Sequence, residues 1–138
     1  MQRRRESEAK RLSGERSTAS KAAYYLYLAH FLLELVLGAL KLRGTYSGID
    51  MSCAPGSAKF ARHHGVSLLA IALLGGEVLR RRMCDSVTGE VASFVLASFH
   101  TGCVLVMLHA INLKVVAIHA PFAIGFWWHY ASRVRGKE

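Results

Sequence analysis

The segment Tyr27-Leu-Ala-His30-Phe-Leu-Leu-Glu34-Leu-Val-Leu-Gly38-Ala-Leu-Lys41 carries polar and small residues at intervals of 3, 4, 4 and 3. On an α-helix this spacing draws a narrow stripe along one face. The rest of the segment is apolar enough to cross a bilayer, and Glu34 falls near the middle of the span. A carboxylate at that depth is costly and normally faces a protein interior. We therefore interpret the chain as a small helical membrane bundle that shelters this stripe.

Outward from this segment, the chain divides into four apolar blocks separated by short polar connections. The predicted spans are about 22–42, 58–79, 91–111 and 115–131, within a membrane domain of 22–132. Each approaches the ~20 residues that cross the hydrocarbon of a bilayer. A basic polar tail, 1–21, is expected to be disordered or to form a frayed helix, and a basic tail, 133–138, follows the last span. Four spans with short connections predict an all-α, up-down-up-down transmembrane bundle.

The distribution of charge predicts the orientation of this bundle. Of the 18 Lys and Arg residues, 13 lie in the two tails and in the connection at Arg80-Arg81-Arg82, and five lie near the other ends of the spans. The positive-inside rule then places both termini in the cytoplasm or its topological equivalent. The basic residues lie at the ends of apolar blocks rather than on one soluble face, so they indicate lipid headgroups and not a nucleic-acid partner.

The chain has three cysteines and seven histidines, the residue types that form disulfides and bind transition metals. No CxxC or CxxH spacing occurs, and the adjacent His63 and His64 diverge by ~100° around a helix, so no metal site is predicted. Cys53 and Cys84 fall in connections on opposite sides of the predicted membrane and cannot pair. No disulfide is expected.

Polar side chains on the other spans extend the stripe of the first one into a predicted pocket. On span two, His63 and Ser67 share a face with Ala70, Leu74 and Glu77. On span three, Thr101 and His109 share a face with Ser98, Gly102 and Asn112, whereas His100 points the opposite way. On span four the small-residue face is Ala117, Pro121, Gly125, Trp128 and Ser132. The predicted ligand pocket is Tyr27, His30, Glu34, His63, Ser67, Thr101 and His109, with no catalytic residue assigned.

His30 and Glu34 lie one helical turn apart at mid-membrane, and two interpretations remain open. In the structural one, the two side chains and Tyr27 form hydrogen bonds that tie span one to its neighbours. In the functional one, they form the polar floor of a pocket and can relay a proton. A third hypothesis is haem b, held between His63 and His109, because bis-histidine ligation needs two imidazoles at matching depth on different helices.

Two stretches resemble the DoxX-like group of small four-span membrane proteins. They are Phe31-Leu-Leu-Glu-Leu-Val-Leu-Gly-Ala-Leu-Lys-Leu-Arg-Gly44 and Ala61-Arg-His-His-Gly-Val-Ser-Leu-Leu-Ala-Ile-Ala-Leu-Leu-Gly-Gly76. The resemblance implies a four-span fold and, as in several members, a role as subunit or partner of a membrane redox system. Distant relatives include sterol-type isomerases with a His and a Glu on one helical turn. His30 and Glu34 are similar, although no second acid plainly faces them here.

These observations favour a non-catalytic membrane subunit or binding module without a cofactor. It would associate with a membrane protein partner or with itself, or hold a small apolar ligand over Tyr27, His30 and Glu34. The alternatives are a haem-binding electron-transfer protein and a lipid- or sterol-modifying enzyme of the isomerase type.

Overall fold

The computed structural model describes residues 2–43 and 57–136, with side chains from Ser20 in the first range and from Lys59 in the second. Four helices account for nearly all of these residues, and the described ranges contain no strand, which confirms the predicted all-α class. They are α1 (Gln2–Leu42), α2 (Ser57–Arg80), α3 (Val87–His109) and α4 (Leu113–Arg135). Cys53 and most of the predicted first connection lie outside the described residues.

The helix ends follow from local capping chemistry. Helix α3 begins four residues before the predicted span because the Ser86 hydroxyl accepts a hydrogen bond from the Gly89 amide, which satisfies one of the free donors of a first turn. The Asn112 side chain accepts from the Val115 amide and starts α4 in the same way. Helix α1 begins at Gln2, so the polar tail, for which disorder or a frayed helix was expected, is continuous with the first span in helical backbone.

Hydrogen bonds at the two ends of the bundle define the directions of the helices. Near its middle, α1 contacts the start of α3, where the Tyr27 hydroxyl donates to the Gly89 carbonyl. The end of α1 contacts the start of α2, where Lys41 Nζ lies 2.6 Å from His64 Nδ1. The end of α4 contacts the start of α3 through Ser93 and His129. Helices α1 and α3 therefore run one way, and α2 and α4 run the other way, as predicted.

Two helical segments, Ser20–Leu42 and Val87–His109, are long and apolar enough to cross a membrane. Only 28% of each apolar window is buried inside the protein, so most of the apolar surface of these segments faces outward. A core helix of a water-soluble protein would bury far more of that surface. Helices α2 and α4 carry more histidine, lysine and arginine and fall outside this criterion.

The predicted inward face of α2 is wrong. His63, Ser67 and Ala70 are exposed, and the buried face is instead Ala61, Gly65, Leu68, Ala72, Gly75 and Val78. The reason is the close approach of α1 and α2, because a Cβ added at Gly65 would lie 3.0 Å from the Gly38 carbonyl oxygen. Only a face of small residues permits that distance, so the polar face of α2 turns outward.

The predicted inward faces of α3 and α4 are also wrong. Helix α3 buries Ala92, Ser93, Leu96, Ala97 and His100. Helix α4 buries His119, Ala123, Phe126 and His129. His100, His119 and His129 turn inward because each finds a polar partner there: His100 contacts His119, and His129 contacts Ser93.

Candidate functional site

The stripe of α1 is buried along its whole length, as the sequence predicted. Tyr27, His30 and Glu34 have no exposed surface, Lys41 is 5% exposed, and Gly38 is also buried. Glu34 and His30 follow one another by one turn, so both point into the same layer of the bundle. The structure thereby places a carboxyl and an imidazole at the centre of four helices.

His100 of α3 meets this pair from the opposite side. Its Nε2 atom lies 4.0 Å from Glu34 Oε1, and neither side chain has any exposed surface. One ligand-type atom from each of His30, Glu34 and His100 falls within 4.8 Å of the others. We call these three residues the central cluster.

Most polar side-chain atoms of the central cluster lack a hydrogen-bond partner among the described residues. Among the described residues, neither nitrogen of His30, neither oxygen of Glu34 and not Nε2 of His100 has a hydrogen-bond partner. Buried polar groups are nearly always hydrogen-bonded, because an unsatisfied one costs about 1–3 kcal/mol. Five such atoms therefore lie together in one buried layer of the bundle.

His119 of α4 contacts the central cluster through His100. Its Nδ1 atom lies 2.8 Å from Nδ1 of His100, so one ring donates and the other accepts. When His100 is the donor, its Nε2 atom keeps the lone pair and directs it towards Glu34. The hydrogen bond to His119 therefore determines which ring nitrogen of His100 carries the free lone pair.

Aromatic rings enclose the imidazoles. His30 makes edge contacts with Phe122 and Phe126 at ring-centroid distances of 5.5 and 5.2 Å. His100 stacks on Phe122 at 5.3 Å with an interplanar angle of 29°. Such packing fixes the rings and removes water from their sides.

A second polar chain lies on the side of the cluster nearer the basic ends of the helices. His129 Nδ1 lies 2.7 Å from Ser93 Oγ, which lies 2.7 Å from the Tyr27 hydroxyl, and that hydroxyl donates to the Gly89 carbonyl at 2.8 Å. Because each hydroxyl has one proton, the chain is satisfied when His129 donates to Ser93 and Ser93 donates to Tyr27. This network ties three helices together and, unlike the central cluster, is internally complete at both hydroxyls.

A cavity reaches the central cluster from the opposite end of the bundle. Its volume is about 340 Å³, and its lining is mostly apolar, with Glu34 and His119 among the polar groups. Lys41 and His64 contact each other at its wall, and Asn112 and Lys114 of the α3–α4 turn also line it. Phe60, Leu68, Met107 and Ile118 supply much of the apolar surface. The cavity therefore runs from Glu34 and His119 to the end of the bundle that carries the α3–α4 turn, opposite the end with Arg80–Arg82.

The structure brings together only part of the predicted pocket. Tyr27, His30 and Glu34 lie inside, whereas His63, Ser67 and His109 are exposed on the outside of the bundle. Thr101 is half-buried, donates to the Ala97 carbonyl and accepts from Trp127 Nε1 at 3.0 Å. The two histidines proposed for haem b, His63 and His109, are thus both directed away from the interior.

Sequence reasoning missed His100 and His119. The signal for His100 was present, because Ser93, Ala97 and His100 repeat the 4 and 3 spacing of the α1 stripe. The face of α3 with Ser98, Thr101 and His109 was predicted to be inward because it carries more polar residues than the face with His100. His119 had no comparable signal, since its neighbours on both faces of α4 are apolar or small.

Comparisons with models of protein families, with curated proteins and with solved structures found no match for this chain. The resemblance to the DoxX-like group therefore stays a prediction, and the function has to be argued from the site.

Proposed function

We propose that this protein is an integral membrane bundle of four spans that binds a small, mostly apolar molecule in the cavity above the central cluster, without catalysing a reaction of its own. The observation that carries the proposal is the cavity of about 340 Å³, which has apolar walls and ends at Glu34 and His119. Binding sites for small molecules commonly combine an apolar lining with a few fixed polar groups.

The exposed apolar surface and the charges support the membrane assignment. Large side chains such as Leu105 and Val106 on α3 are 62% and 61% exposed, which is stable in lipid and unfavourable in water. The N-terminal half of α1, the Arg80–Arg82 connection and the end of α4 lie at one end of the bundle, and these are the basic segments. We therefore propose that this end faces the cytoplasm or its equivalent.

The chemistry of the cavity suggests what kind of molecule fits. Its mostly apolar walls favour an apolar body, whereas Glu34 and His119 at the floor and Lys41 at the wall offer hydrogen bonds. A compact ring system with one hydroxyl or carbonyl group satisfies both requirements. Its polar group would occupy the floor, and its ring would contact residues such as Leu68 and Met107.

Cys103 lines this cavity and provides a natural reporter. In a Cys53→Ser background, a small charged methanethiosulfonate reagent is expected to modify Cys103, and 1-naphthol is expected to slow that modification. Cys84 is expected to react more slowly because it is buried, with 6% of its surface exposed, whereas Cys103 is half-buried. Peptide mass spectrometry assigns the modified cysteine.

The variant Met107→Trp fills the cavity and is expected to abolish both the modification and the protection by 1-naphthol. Val106→Trp is the matched control, because Val106 is the adjacent residue and faces outward. If 1-naphthol and related ring compounds leave the rate at Cys103 unchanged in the parent protein, the binding proposal is wrong. Extraction of the protein from membranes by alkaline carbonate would contradict the integral membrane assignment.

A membrane protein partner or self-association also stays a proposal. The native mass of the protein in lipid nanodiscs tests it, with a mass above that of one chain as the expected result. The haem hypothesis keeps its own test, a Soret band that disappears in His63→Ala or His109→Ala.

A further inference from the structure

We propose that His30, Glu34 and His100 bind one divalent first-row transition-metal ion at the centre of the bundle. This inference goes beyond the proposed function, because the ion would be held by the floor of the cavity and not by its apolar walls. It also departs from the sequence analysis, which predicted no metal site. The three residues come from two helices and are separated by up to 70 positions along the chain, so no local spacing could reveal them.

The donor set is the first argument. Two imidazoles and one carboxylate form the two-histidine, one-carboxylate combination that suits Fe²⁺, and the same donors serve Zn²⁺. Such a set leaves coordination positions open when no fourth protein ligand closes it. Ca²⁺ and Mg²⁺ would instead favour a shell of oxygen atoms.

The distances are the second argument. Two ligands that each lie ~2.1 Å from a common ion are at most ~4.2 Å apart. His100 Nε2 and Glu34 Oε1 are 4.0 Å apart, and all three donor atoms lie within 4.8 Å of one another. Side-chain shifts of less than 1 Å therefore place all three on one ion.

The unpartnered atoms are the third argument. Among the described side chains nothing accepts or donates a hydrogen bond at His30, at Glu34 or at Nε2 of His100, and all three residues have no exposed surface. A hydrogen-bonded structural cluster would show these atoms paired with one another. A bound cation would take one lone pair from each of the three residues and offset the cost of burying a carboxylate, and the remaining N–H of His30 would lie beside the rings of Phe122 and Phe126.

His119 acts as a positioning residue for this site. Histidines that bind a metal almost always donate their second N–H to a neighbouring acceptor, which fixes the tautomer and the ring orientation. The His100 Nδ1 to His119 Nδ1 contact of 2.8 Å supplies that bond. Because His119 and Glu34 both line the cavity, an open coordination position would face the cavity and not the aromatic wall.

Co²⁺ is the probe for the test, because its visible absorption reports its ligands. The full chain is purified without a histidine tag, in a background with the exposed His63 and His109 changed to alanine, stripped with a chelator and titrated. We expect one Co²⁺ per chain and absorption bands typical of nitrogen and oxygen ligands. Glu34→Gln and His30→Ala are each expected to weaken binding by more than about 100-fold, since changes to outer-shell partners alone cost 10–100-fold.

His119→Ala is expected to keep one ion per chain but to shift its absorption spectrum and lower its affinity by about 10-fold. Size-exclusion chromatography and circular dichroism establish that each variant folds. The proposal is overturned if the folded parent protein takes up less than one Co²⁺ per chain, or if folded Glu34→Gln binds Co²⁺ as tightly as the parent. Protection of Cys103 by 1-naphthol is scored separately, so failure of the metal site leaves the cavity proposal intact, and the reverse also holds.

Discussion

The Tyr27 hydroxyl connects three of the four helices through one hydrogen-bond network. It donates to the Gly89 carbonyl and contacts Ser93, which in turn contacts His129, so one oxygen atom links α1 to both α3 and α4. Its ring packs against Phe126 at 5.1 Å. The hydroxyl and the ring therefore serve different purposes, and they can be separated by substitution.

Tyr27→Phe keeps the ring and removes the hydroxyl, so we expect it to destabilise the bundle by about 1–3 kcal/mol, the cost of leaving a buried hydrogen-bonding group unpaired. The measurement is the free energy of unfolding in mixed detergent micelles. Tyr25→Phe is the matched control, because the Tyr25 side chain is 66% exposed, and it should change stability by less than about 0.5 kcal/mol. Equal effects of the two substitutions would contradict the role of the network.

The buried face of α1 could be predicted from the sequence, but the contact between Glu34 and His100 could not. Tyr27, His30, Glu34, Gly38 and Lys41 were predicted to share a buried face because polar groups stood out against apolar neighbours in the first span. The partner of Glu34 was not predictable in this way. His100 meets Glu34 only through the packing of α1 against α3, and spacing within one helix carries no information about that contact.

At the scale of the element, the crossing of α1 and α2 is set by two glycines. A Cβ added at Gly38 would lie 3.1 Å from the Gly65 carbonyl oxygen, and one added at Gly65 would lie 3.0 Å from the Gly38 carbonyl oxygen. Each glycine therefore permits the approach of the other helix's backbone. The same contact positions Lys41 against His64 at the cavity wall.

Gly65→Ala is expected to push α1 and α2 apart by a few tenths of an ångström and to destabilise the protein by about 1–3 kcal/mol, as for other overpacked sites. Thermal unfolding of the purified protein measures this. Gly102→Ala is the control, because a Cβ at Gly102 meets nothing within 4 Å among the described residues. That substitution should be neutral or stabilising by up to about 1 kcal/mol, since alanine is the better helix former. A stable Gly65→Ala variant would mean that the two helices are not held at this distance.

The inward faces of α2, α3 and α4 were mispredicted for a physical reason. In a helix that contacts lipid on one side and protein on the other, both sides are apolar, so hydrophobic periodicity does not identify the core. Polar residues towards a helix end, such as His63 and His109, can face outward at little cost, and the Ser67 hydroxyl at mid-helix donates to the His63 carbonyl. Helices α2, α3 and α4 begin and end within four residues of the predicted spans, because helix length and caps such as Ser86 and Asn112 are local properties, whereas α1 begins 20 residues before its predicted span.

In the whole molecule, the four helices alternate in direction and bring the segments that carry most of the Lys and Arg residues to one end. Asp85, in the α2–α3 connection, accepts hydrogen bonds from Ser20 of α1 and, at its backbone carbonyl, from Arg133 of α4. Glu77 pairs with Arg80 and Arg81 at the same end. Hydrogen bonds to Asp85 thus connect α1 and α4 to the α2–α3 connection at one end of the bundle, whereas the cavity lies at the other end.

We expect both termini to be on the cytoplasmic side of the membrane, and the α3–α4 turn to be on the other side. Fluorescent protein fused after residue 138 should fluoresce in a bacterial host, whereas alkaline phosphatase fused after Lys114 should be active. The reciprocal fusions, phosphatase after residue 138 and fluorescent protein after Lys114, are the controls and should be silent. Activity of both phosphatase fusions would contradict an even number of spans between Met1 and the C-terminus.

The apolar cluster of Leu96, Ala97, Val78 and Phe126 lies between the central residues and the arginine-rich end. If the bundle spans the membrane as proposed, these side chains separate Glu34 from the arginine-rich end, and the cavity beyond the α3–α4 turn is its route to water. We therefore expect a membrane-impermeant competitor to displace a bound molecule when it is added on the side of the α3–α4 turn, and not when it is added on the side of the termini.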